Sequence, residues 1–307
     1  MSESLLLIGF NAFIILMLVI VLGFAQRRAH FPTMKEALSW TFVWISLAIL
    51  FGGFIWHQMG KASALEYFTG YIVEEALSVD NVFVFILIFG YFAVPKSDQH
   101  KVLFWGVLSA IVFRAIFIVL GAALVAKFHW ILYLLGAFLI VTAIKIAVQD
   151  DVEVAPERNP FVRLVRKLFP MTPGYVDGKF FTRRDGKRLM TPLLLVLVMI
   201  ETTDIAFATD SIPAIFAITR NTTIIYTSNI FAVLGLRALY FVVAGFMKQF
   251  QFLKYGLSVI LAFIGLKMLI EKWILISIQT SLMVIFFVIA TSILSSLLHD
   301  KRKGGTE

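Results

Sequence analysis

The chain has 307 residues, of which 60% are hydrophobic and 15% are charged, and its formal net charge is +8. A soluble domain carries roughly 25% charged residues, so the composition excludes an ordinary soluble protein and predicts a single transmembrane domain over residues 1–307. The chain has no cysteine, which excludes disulfides and thiolate metal sites.

Apolar runs long enough to cross a bilayer predict the helices. A span needs about 20 apolar residues, and such runs predict an all-α polytopic membrane protein with about nine transmembrane helices. These lie near 5–25, 37–57, 66–92, 102–125, 129–149, 191–218, 226–246, 252–270 and 274–297. The first run lacks a basic start and a small-residue cleavage site, so we interpret it as a retained helix and not a signal peptide.

The distribution of positive charge orients these spans. With the N-terminus outside, 19 of the 27 Lys and Arg residues fall in inner segments and four in outer ones. Lys and Arg accumulate on the cytoplasmic side of membrane proteins. The pattern therefore predicts an N-out, C-in topology, and the net charge reflects this topology and not a nucleic-acid surface.

Residues 150–190 are predicted to form a cytoplasmic loop with two features. The segment FVRLVRKLF predicts a helix with one apolar face formed by Phe161, Leu164, Val165, Leu168 and Phe169. Such a helix either lies on the anionic inner leaflet or packs on the helix bundle. Further on, the Asp185-Gly186 pair is typical of a hairpin turn.

Carboxyl groups occur inside two of the predicted spans. The third span contains the stretch VEEALSVDNVFVF, and the sixth contains ETTDIAFATDSIPAIFAI. The polar side chains concerned are Glu74, Glu75, Asp80 and Asn81 in the third span, and Glu201, Asp204, Asp210 and Ser211 in the sixth. An uncompensated charge at the centre of a bilayer costs at least about 2.5–3.5 kcal/mol, so these acids predict a functional site.

The two acidic stretches align with each other, and so do the helices that follow them. Placing Asp80-Asn81 on Asp210-Ser211 also places Glu74 on Asp204, Arg114 on Arg237 and Lys145 on Lys267. The alignment predicts two copies of one three-helix unit, repeat 1 at 66–149 and repeat 2 at 191–270, with the last helix at 274–297 outside both. Because three spans form each unit, the second copy would be inverted.

Inverted repeats place a substrate site near the midplane, where interrupted helices meet. Pro213 predicts a break in the sixth span just past Asp210, and the symmetry predicts a matching break in the third. The six carboxyls would then converge near one axis.

The ligand types indicate which cation would compensate these acids. Carboxylate, amide and hydroxyl oxygens favour Mg, Ca or Mn, so we predict a divalent cation at Glu74, Asp80, Asp204 and Asp210. Asn81 and Ser211 would assist as ligands or from the second coordination shell. Arg114 and Arg237 are predicted to balance charge.

Glu75 and Glu201 have no counterpart in the other copy. Each is open to a role as a proton carrier, a metal or second-shell group, a salt-bridge partner or an entrance residue.

Other readings of the acids stay open. Buried ion pairs could only lock helices together, although such pairs are weak stabilisers. An intramembrane aspartyl protease would need a GxGD setting, which neither Asp80 nor Asp210 has, so we do not expect an enzyme. An assembly or interaction factor acting through the inner loop is a further alternative.

At VEEALSVDNVFVF and ETTDIAFATDSIPAIFAI the chain closely resembles the TerC/Alx family of bacterial integral membrane proteins. Further matching stretches are TSNIFAVLGLRALYF, LKYGLSVILAFIGLKMLI and FFTRRDGKRLMTPLLLVL. The resemblance covers roughly residues 10–300 and is strongest to the Alx branch.

The resemblance implies export of Mn(II) across the bacterial inner membrane, with Mn(II) as substrate and no permanent cofactor. By the motif match, Glu74, Asp80, Asp204 and Asp210 would be the metal ligands. Some members carry a basic residue at the position of Glu75, which argues against Glu75 as a ligand. The family also implies tellurium resistance and a link to the protein export machinery through metal supply. No nucleotide-binding motif is present, so protons are the predicted coupling ion.

Overall fold

The structure is a computed structural model that describes residues 3–27, 33–128, 130–148, 156–184, 186–246 and 252–304. These residues form nine α-helices, one short 3-10 helix (Pro156–Arg158) and one two-stranded hairpin, joined by loops. The helices are α1 (Glu3–Arg27), α2 (Met34–Tyr91), α3 (Lys96–Lys127), α4 (Ile131–Val148), α5 (Pro160–Leu168), α6 (Pro192–Phe216), α7 (Thr222–Phe246), α8 (Leu253–Ile270) and α9 (Ile278–Gly304). The strands are β1 (Phe181–Arg184) and β2 (Lys187–Met190).

The predicted fold class is confirmed, since the described chain is helical apart from the hairpin and its loops. Among the described residues, six helices are long and apolar enough to cross a membrane, and Leu5–Ile20 is a shorter apolar helix. Each of the nine predicted spans falls on a helix. Large apolar side chains such as Phe42 and Leu50 lie on the outside of the bundle, about 70% exposed, as lipid-facing residues do.

The second and third predicted spans belong to one helical run, α2, instead of two separate helices. Its 58 residues would reach about 87 Å if straight, far more than the roughly 30 Å of a bilayer core. The run bends at Gly60, whose φ of 89° and ψ of 173° are not helical. The chain starts this run with a capping box between Thr33 and Glu36.

The two predicted helix breaks beside the aspartates were wrong. Pro213 lies inside α6, which continues to Phe216. A proline this close to the end of a helix removes only one of the last hydrogen bonds, so the helix can continue for another turn. In α2 the only non-helical backbone is at Gly60, so no break occurs at Asp80.

The helix and hairpin predicted in the inner loop are present as α5 and β1–β2. Asn159 caps α5 by accepting hydrogen bonds from the backbone of Phe161 and Val162. The hairpin pairs Phe181 with Met190 and turns through Gly186, at a φ of 74°. Asp185 lies outside the described residues.

The helix α5 lies alongside the first three turns of α6, in the opposite direction. At its beginning, the amide of Asn159 donates to the Thr202 hydroxyl at 2.7 Å. Just after its end, Pro170 accepts a backbone hydrogen bond from Met190, next to the start of α6. The first residue of α5 therefore reaches the level of Thr202, about 16 Å into the bundle.

The predicted single apolar face of α5 divides into two. Val162 is fully buried, and Val165 and Phe169 pack into the same core cluster. The other apolar residues, Phe161, Leu164 and Leu168, are more than half exposed. The helix therefore both packs on the bundle and presents an apolar strip outward, because its apolar residues cover more than one side.

Four helices, α2, α3, α6 and α7, surround the centre of the bundle and form two parallel pairs that run in opposite directions. The second half of α2 runs parallel to α7, because Gly70 lies beside Ser228 and Phe89 beside Tyr240. Similarly, α3 runs parallel to α6, since Ser109 bonds to Glu201 and Arg114 to Asp204. In contrast, α3 and α7 are antiparallel, because Arg114 meets Asn229 and Gln99 meets Tyr240. The α3 contacts are hydrogen bonds between side chains.

The third helices of the predicted repeats, α4 and α8, cross in close contact. Gly136 lies against the carbonyl of Gly265, and the Ser258 hydroxyl donates to the carbonyl of Ala143 at 2.6 Å. The repeat alignment maps Gly136 onto Ser258 and Ala143 onto Gly265, so each contact is the counterpart of the other. This reciprocity is what two inverted copies would produce. The repeat boundaries and the N-out orientation stay predictions.

Candidate functional site

The centre of the bundle holds a buried arginine bound to polar groups of three other helices. Arg114 of α3 is fully buried, and its guanidinium donates to Glu74 of α2. It also binds both oxygens of Asp204 on α6, at 3.0 and 3.3 Å, and the amide oxygen of Asn229 on α7 at 3.2 Å. Such forked binding suits the planar guanidinium and positions the carboxylate strongly.

The two acids at Arg114 occupy matching positions in the predicted repeats. Glu74 and Asp204 each lie six residues before an aspartate, and both are buried. Two carboxylates share one guanidinium, so the cluster carries one net negative charge when both are ionised. Nothing described in the structure donates to Glu74 Oε2 or accepts from Asn229 Nδ2. Buried polar groups without a partner are costly, so Glu74 Oε2 has capacity for a further cation or proton.

The aspartates that follow lie on other faces of their helices. Six residues correspond to about 9 Å along a helix and about 240° around it. Asp210 accordingly points to α4, where it accepts a hydrogen bond from Thr142 at 3.1 Å. For Asp80 only the backbone, within α2, belongs to the described part of the chain, and its side chain lies outside it. Asp210 does not join the Arg114 cluster.

Asn81 and Ser211, which follow the two aspartates, are both almost completely buried. Neither the Asn81 amide oxygen nor the Ser211 hydroxyl has a hydrogen-bond partner among the described residues. Both oxygens are therefore free to accept a further partner, and their role as ligands stays a prediction.

The unmatched acids Glu75 and Glu201 bind hydroxyl groups. Glu75 accepts a hydrogen bond from Tyr71 at 2.7 Å, and Glu201 accepts one from Ser109. No salt bridge within the described chain involves either acid. Glu201 Oε2 has no partner there either. The salt-bridge role considered for these two acids is therefore not seen in this arrangement.

Arg237, the counterpart of Arg114, lies outside the cluster. It is half-buried on α7 and has no hydrogen bond or ion pair with any described side chain. It lies near His100, in the first turns of α3, closely enough for their charges to interact. The two predicted charge-balancing residues thus have different surroundings, and among the described side chains it is Arg114 that binds Glu74 and Asp204.

A small cavity of about 10 Å³ lies beside Asp204, on the side where α3 begins and α7 ends. It has room for roughly one water molecule. Its walls come from α2, α3, α6 and α7 and include Phe85, Leu103, Val107, Ala110, Ile200 and Val233. The acid cluster therefore has unfilled space next to Asp204.

The described side chains include no group of three or more acidic or histidine residues that could hold a metal ion. The physical reason is visible at Arg114, which occupies the space between Glu74 and Asp204. The oxygen groups nearby still fit a hard divalent cation in kind, since carboxylate, amide and hydroxyl ligands suit Mg, Ca and Mn. A metal could use both acids only after Arg114 moves away.

Sequence reasoning missed three polar partners in this region. They are Asn229, Ser109 and Thr142, each on a helix facing an acid. A lone asparagine within an apolar helix was a usable signal, because amides inside membrane helices usually have a polar partner. The two hydroxyl residues carried no such signal, since Ser and Thr readily bond to their own helix backbone.

Comparisons with known proteins identify the family. The profile described as the integral membrane protein TerC family matches residues 59–304, which include every acid of the candidate site. A Myxococcus xanthus protein named uncharacterized membrane protein STKORF319 is 46% identical over 293 residues, 95% of this chain and 92% of its own.

Two further relatives extend this similarity. The Escherichia coli K12 protein named putative membrane-bound redox modulator Alx is 46% identical over 310 residues, 97% of each chain. A Rickettsia bellii protein named uncharacterized membrane protein is 39% identical, covering 94% of this chain and 96% of its own. No solved structure matches the chain. The chain therefore belongs to the TerC family of integral membrane proteins.

Proposed function

We propose that the protein exports Mn(II) from the cytoplasm across the bacterial inner membrane, in exchange for protons. The observation that supports this best is the meeting of Glu74 and Asp204 at the centre of the bundle. Acids are rare inside membrane helices and usually mark an ion or proton pathway. Here the two acids come from matching positions of α2 and α6, and their two negative charges exceed the single positive charge of Arg114.

The acids would handle the ion in two steps. The net negative charge attracts Mn(II) toward the cavity beside Asp204, and Mn(II) then takes the place of the guanidinium between Glu74 and Asp204. Asp80 and Asp210, about 9 Å further along their helices, receive or hand on the ion. Asn81 and Ser211 supply neutral oxygens. The proposal assigns transport to this site and no catalytic reaction.

Protons are the proposed driver. Moving a positive charge out against an inside-negative potential costs about 2.3 kcal/mol per charge per 100 mV, so export of a divalent ion needs an energy source. The same carboxyls that release Mn(II) can take up protons from the outer side and carry them inward. Exchange therefore needs no further binding site.

The name redox modulator, carried by the Escherichia coli relative, is compatible with this proposal only as an indirect effect. The chain has no cysteine, so it offers no thiol of its own for disulfide exchange. Control of the cellular concentration of a redox-active metal would give a route from transport to redox state.

A second candidate function is favoured by the outer face of α5. Phe161, Leu164 and Leu168 form an exposed apolar strip flanked by basic residues. An assembly or interaction factor linked to the protein export machinery would use such a strip. Export of another hard divalent ion, or a tellurium-resistance function, would instead use the acids and differ only in substrate.

The test is Mn(II) uptake into inside-out membrane vesicles with and without an acidic interior. Wild type is compared with Glu74→Gln, Asp80→Asn, Asp204→Asn and Asp210→Asn. The matched control is Glu271→Gln, which removes an acid from an exposed ion pair with Arg220. We expect gradient-stimulated uptake that falls by about tenfold or more in the four variants, since the loss of a mere second-shell partner already costs 10–100-fold.

Three other outcomes are informative. Uptake by wild type equal to that of empty vesicles would contradict manganese export. Stimulated uptake of Mg(II) or Ca(II) in place of Mn(II) would assign the site to another hard cation. The assembly role would be favoured if a Phe161→Ser, Leu164→Ser, Leu168→Ser triple variant lost the protein's function in cells while all four acid variants kept it.

A further inference from the structure

We propose that Arg114 and Arg237 alternate as the counter-cation of Glu74 and Asp204, each holding the acid pair in one of two orientations of the bundle. In the arrangement described here Arg114 holds both acids. In the opposite orientation Arg237 takes them and Arg114 withdraws. This inference rests on the proposed transport function and specifies how the empty acid site is neutralised during the cycle.

The first observation is a broken symmetry between two equivalent residues. The repeat alignment places Arg114 on Arg237 and Glu74 on Asp204. The acid pair therefore maps onto itself when the copies are exchanged, and each arginine maps onto the other. Yet Arg114 is fully buried against both acids, while Arg237 is half-buried with no hydrogen-bond partner among the described residues.

The second observation is that the surrounding helices are related reciprocally. Exchanging α2 with α6, α3 with α7, and α4 with α8 converts the packing of α2 on α7 into that of α6 on α3, and the packing of α4 on α6 into that of α8 on α2, and all of these are observed. At the crossing of α4 and α8, the contact of Gly136 with Gly265 becomes that of Ser258 with Ala143. For these pairs, a packing that exchanges the two copies uses helices that are already neighbours.

The third observation concerns the cavity beside Asp204. Val107 lines this cavity, whereas its counterpart by the alignment, Ile230, does not. Both residues are buried in the same core cluster. In the exchanged packing, the equivalent cavity would lie beside Ile230, on the side of Glu74.

Electrostatics requires a second cation that can replace Arg114 beside the two acids. If Arg114 leaves without a replacement, two carboxylates remain buried without a counter-charge, which is strongly unfavourable. Mn(II) supplies the charge while it is bound. After Mn(II) leaves, an arginine already tethered to the opposite helix neutralises one of the two carboxylates, and a proton taken up from the outer side neutralises the other.

The test measures which side of the acid pair admits a reagent. The chain has no cysteine, so Val107→Cys and Ile230→Cys can each be read separately in the full-length protein. The probe is a small charged methanethiosulfonate, and the result is the ratio of its two reaction rates. This ratio is measured in the otherwise wild-type background and with Arg114→Gln, Arg237→Gln or Arg220→Gln. Arg220 forms an exposed ion pair with Glu271 and serves as the control.

We expect the Val107→Cys variant to react faster than the Ile230→Cys variant in the otherwise wild-type background. Arg114→Gln should shift the ratio toward position 230 by about tenfold or more, since breaking a buried ion pair biases a two-state equilibrium by at least that factor. Arg237→Gln should hold or increase the preference for position 107. Arg220→Gln should leave the ratio unchanged, and Arg114→Lys, which keeps the charge, should restore it.

A second set of variants keeps the inference testable if Arg114→Gln folds poorly. In a Glu74→Gln, Asp204→Asn background there is no acid pair to neutralise, so Arg114→Gln should fold and leave the ratio unchanged. The inference is overturned if both arginine variants move the ratio in the same direction. It is also overturned if Arg114→Gln only lowers the yield of folded protein, as a purely structural brace would. No manganese is present in this assay, so its result stands apart from the transport test.

Discussion

Gly265 of α8 and Gly136 of α4 approach each other so closely that neither position has room for a side chain. A methyl group on Gly265 would lie 2.6 Å from the carbonyl oxygen of Gly136, and one on Gly136 would lie 3.0 Å from that of Gly265. Small residues let membrane helices approach closely where no hydrophobic effect drives them together. This contact therefore sets the distance between the two third helices of the predicted repeats.

The first prediction is that Gly265→Ala destabilises the bundle. The added methyl group would meet backbone atoms of Gly136 and Ile140, which cannot rotate away. Overpacking of this kind typically costs about 1–3 kcal/mol. Thermal unfolding in detergent measures the change, and Gly90→Ala, where a methyl group meets no other atom, is the control. Equal unfolding temperatures of the two variants would contradict the prediction.

The second prediction concerns the bend of α2 at Gly60. Its φ of 89° and ψ of 173° lie in a region that only glycine adopts readily, and a methyl group there would meet no neighbouring atom. Gly60→Ala should therefore destabilise the protein through the backbone alone, by about 1–3 kcal/mol. Gly53→Ala, within the regular part of the same helix, should stabilise it by roughly 0.5–1 kcal/mol. Thermal unfolding measures both changes in stability. A loss for Gly60→Ala together with a gain for Gly53→Ala would show that the bend requires glycine at position 60.

The third prediction separates the two roles of Asn159. Its amide oxygen caps α5, and its amide nitrogen binds Thr202 on α6. Asn159→Asp keeps the cap and loses the donor, so α5 should stay helical but dock more loosely. Asn159→Ala loses both, at a cost of about 0.5–2 kcal/mol from the cap alone. Hydrogen exchange of residues 160–169 should therefore rise more in Asn159→Ala, and equal exchange in both variants would exclude a capping role.

The fourth prediction is a change in stability at alkaline pH. The Tyr175 hydroxyl, in the inner loop, donates to the carbonyl of Phe92 at 2.7 Å. Burial, and to a lesser extent the Asp98 carboxylate, raises the pKa of Tyr175 to about 12, whereas an unfolded tyrosine has a pKa of about 10. Because the folded pKa is the higher one, the contribution of Tyr175 is complete below about pH 10 and is lost as the pH rises to about 12.

The measurement for Tyr175 compares unfolding temperatures in detergent between pH 9 and 12. Tyr175→Phe should be less stable than wild type at pH 9, by about 1 kcal/mol for one lost hydrogen bond. The difference should shrink as the pH rises, because only wild type carries the titrating group. Tyr133→Phe, at an exposed position, should follow wild type throughout. Parallel curves for wild type and Tyr175→Phe would contradict the prediction.

The fifth prediction tests the charge of the acid cluster. Asn229 contacts Arg114 through its amide oxygen at 3.2 Å, so Asn229→Asp would add a third carboxylate beside Glu74 and Asp204. Since the affinity for hard cations rises with the number of charged ligands, Mn(II) should bind more tightly, by about tenfold on that basis. Electron paramagnetic resonance of bound Mn(II) measures this affinity.

The control for Asn229→Asp is the same chemical change at the beginning of α7. Asn221→Asp keeps the side-chain oxygen that caps α7 through Thr223 and lies well away from the cluster. It should leave Mn(II) affinity unchanged. An equal increase in both variants would indicate a general effect of surface charge and not a site at Glu74 and Asp204.

The amino-acid sequence by itself determined the class of fold and identified the two central acids. Long apolar runs can satisfy their backbone hydrogen bonds in a bilayer only as helices, which is why the predicted spans all fall on helices. The spacing of apolar residues in α5 and the turn signal of the hairpin act locally, so these elements were also correctly predicted. The acids at Glu74 and Asp204 were identifiable because charge inside an apolar run is costly wherever the helix lies.

Only the tertiary structure decided which groups meet. Periodicity shows that Asp204 and Asp210 lie on different faces of α6, but not that one face meets Arg114 and the other Thr142. The equivalence of Arg114 and Arg237 in sequence likewise could not show that Arg114 binds both acids while Arg237 binds no described side chain. The physical reason is that the Arg114 guanidinium fills the space between the two acids, so packing places one arginine there where the sequence offers two.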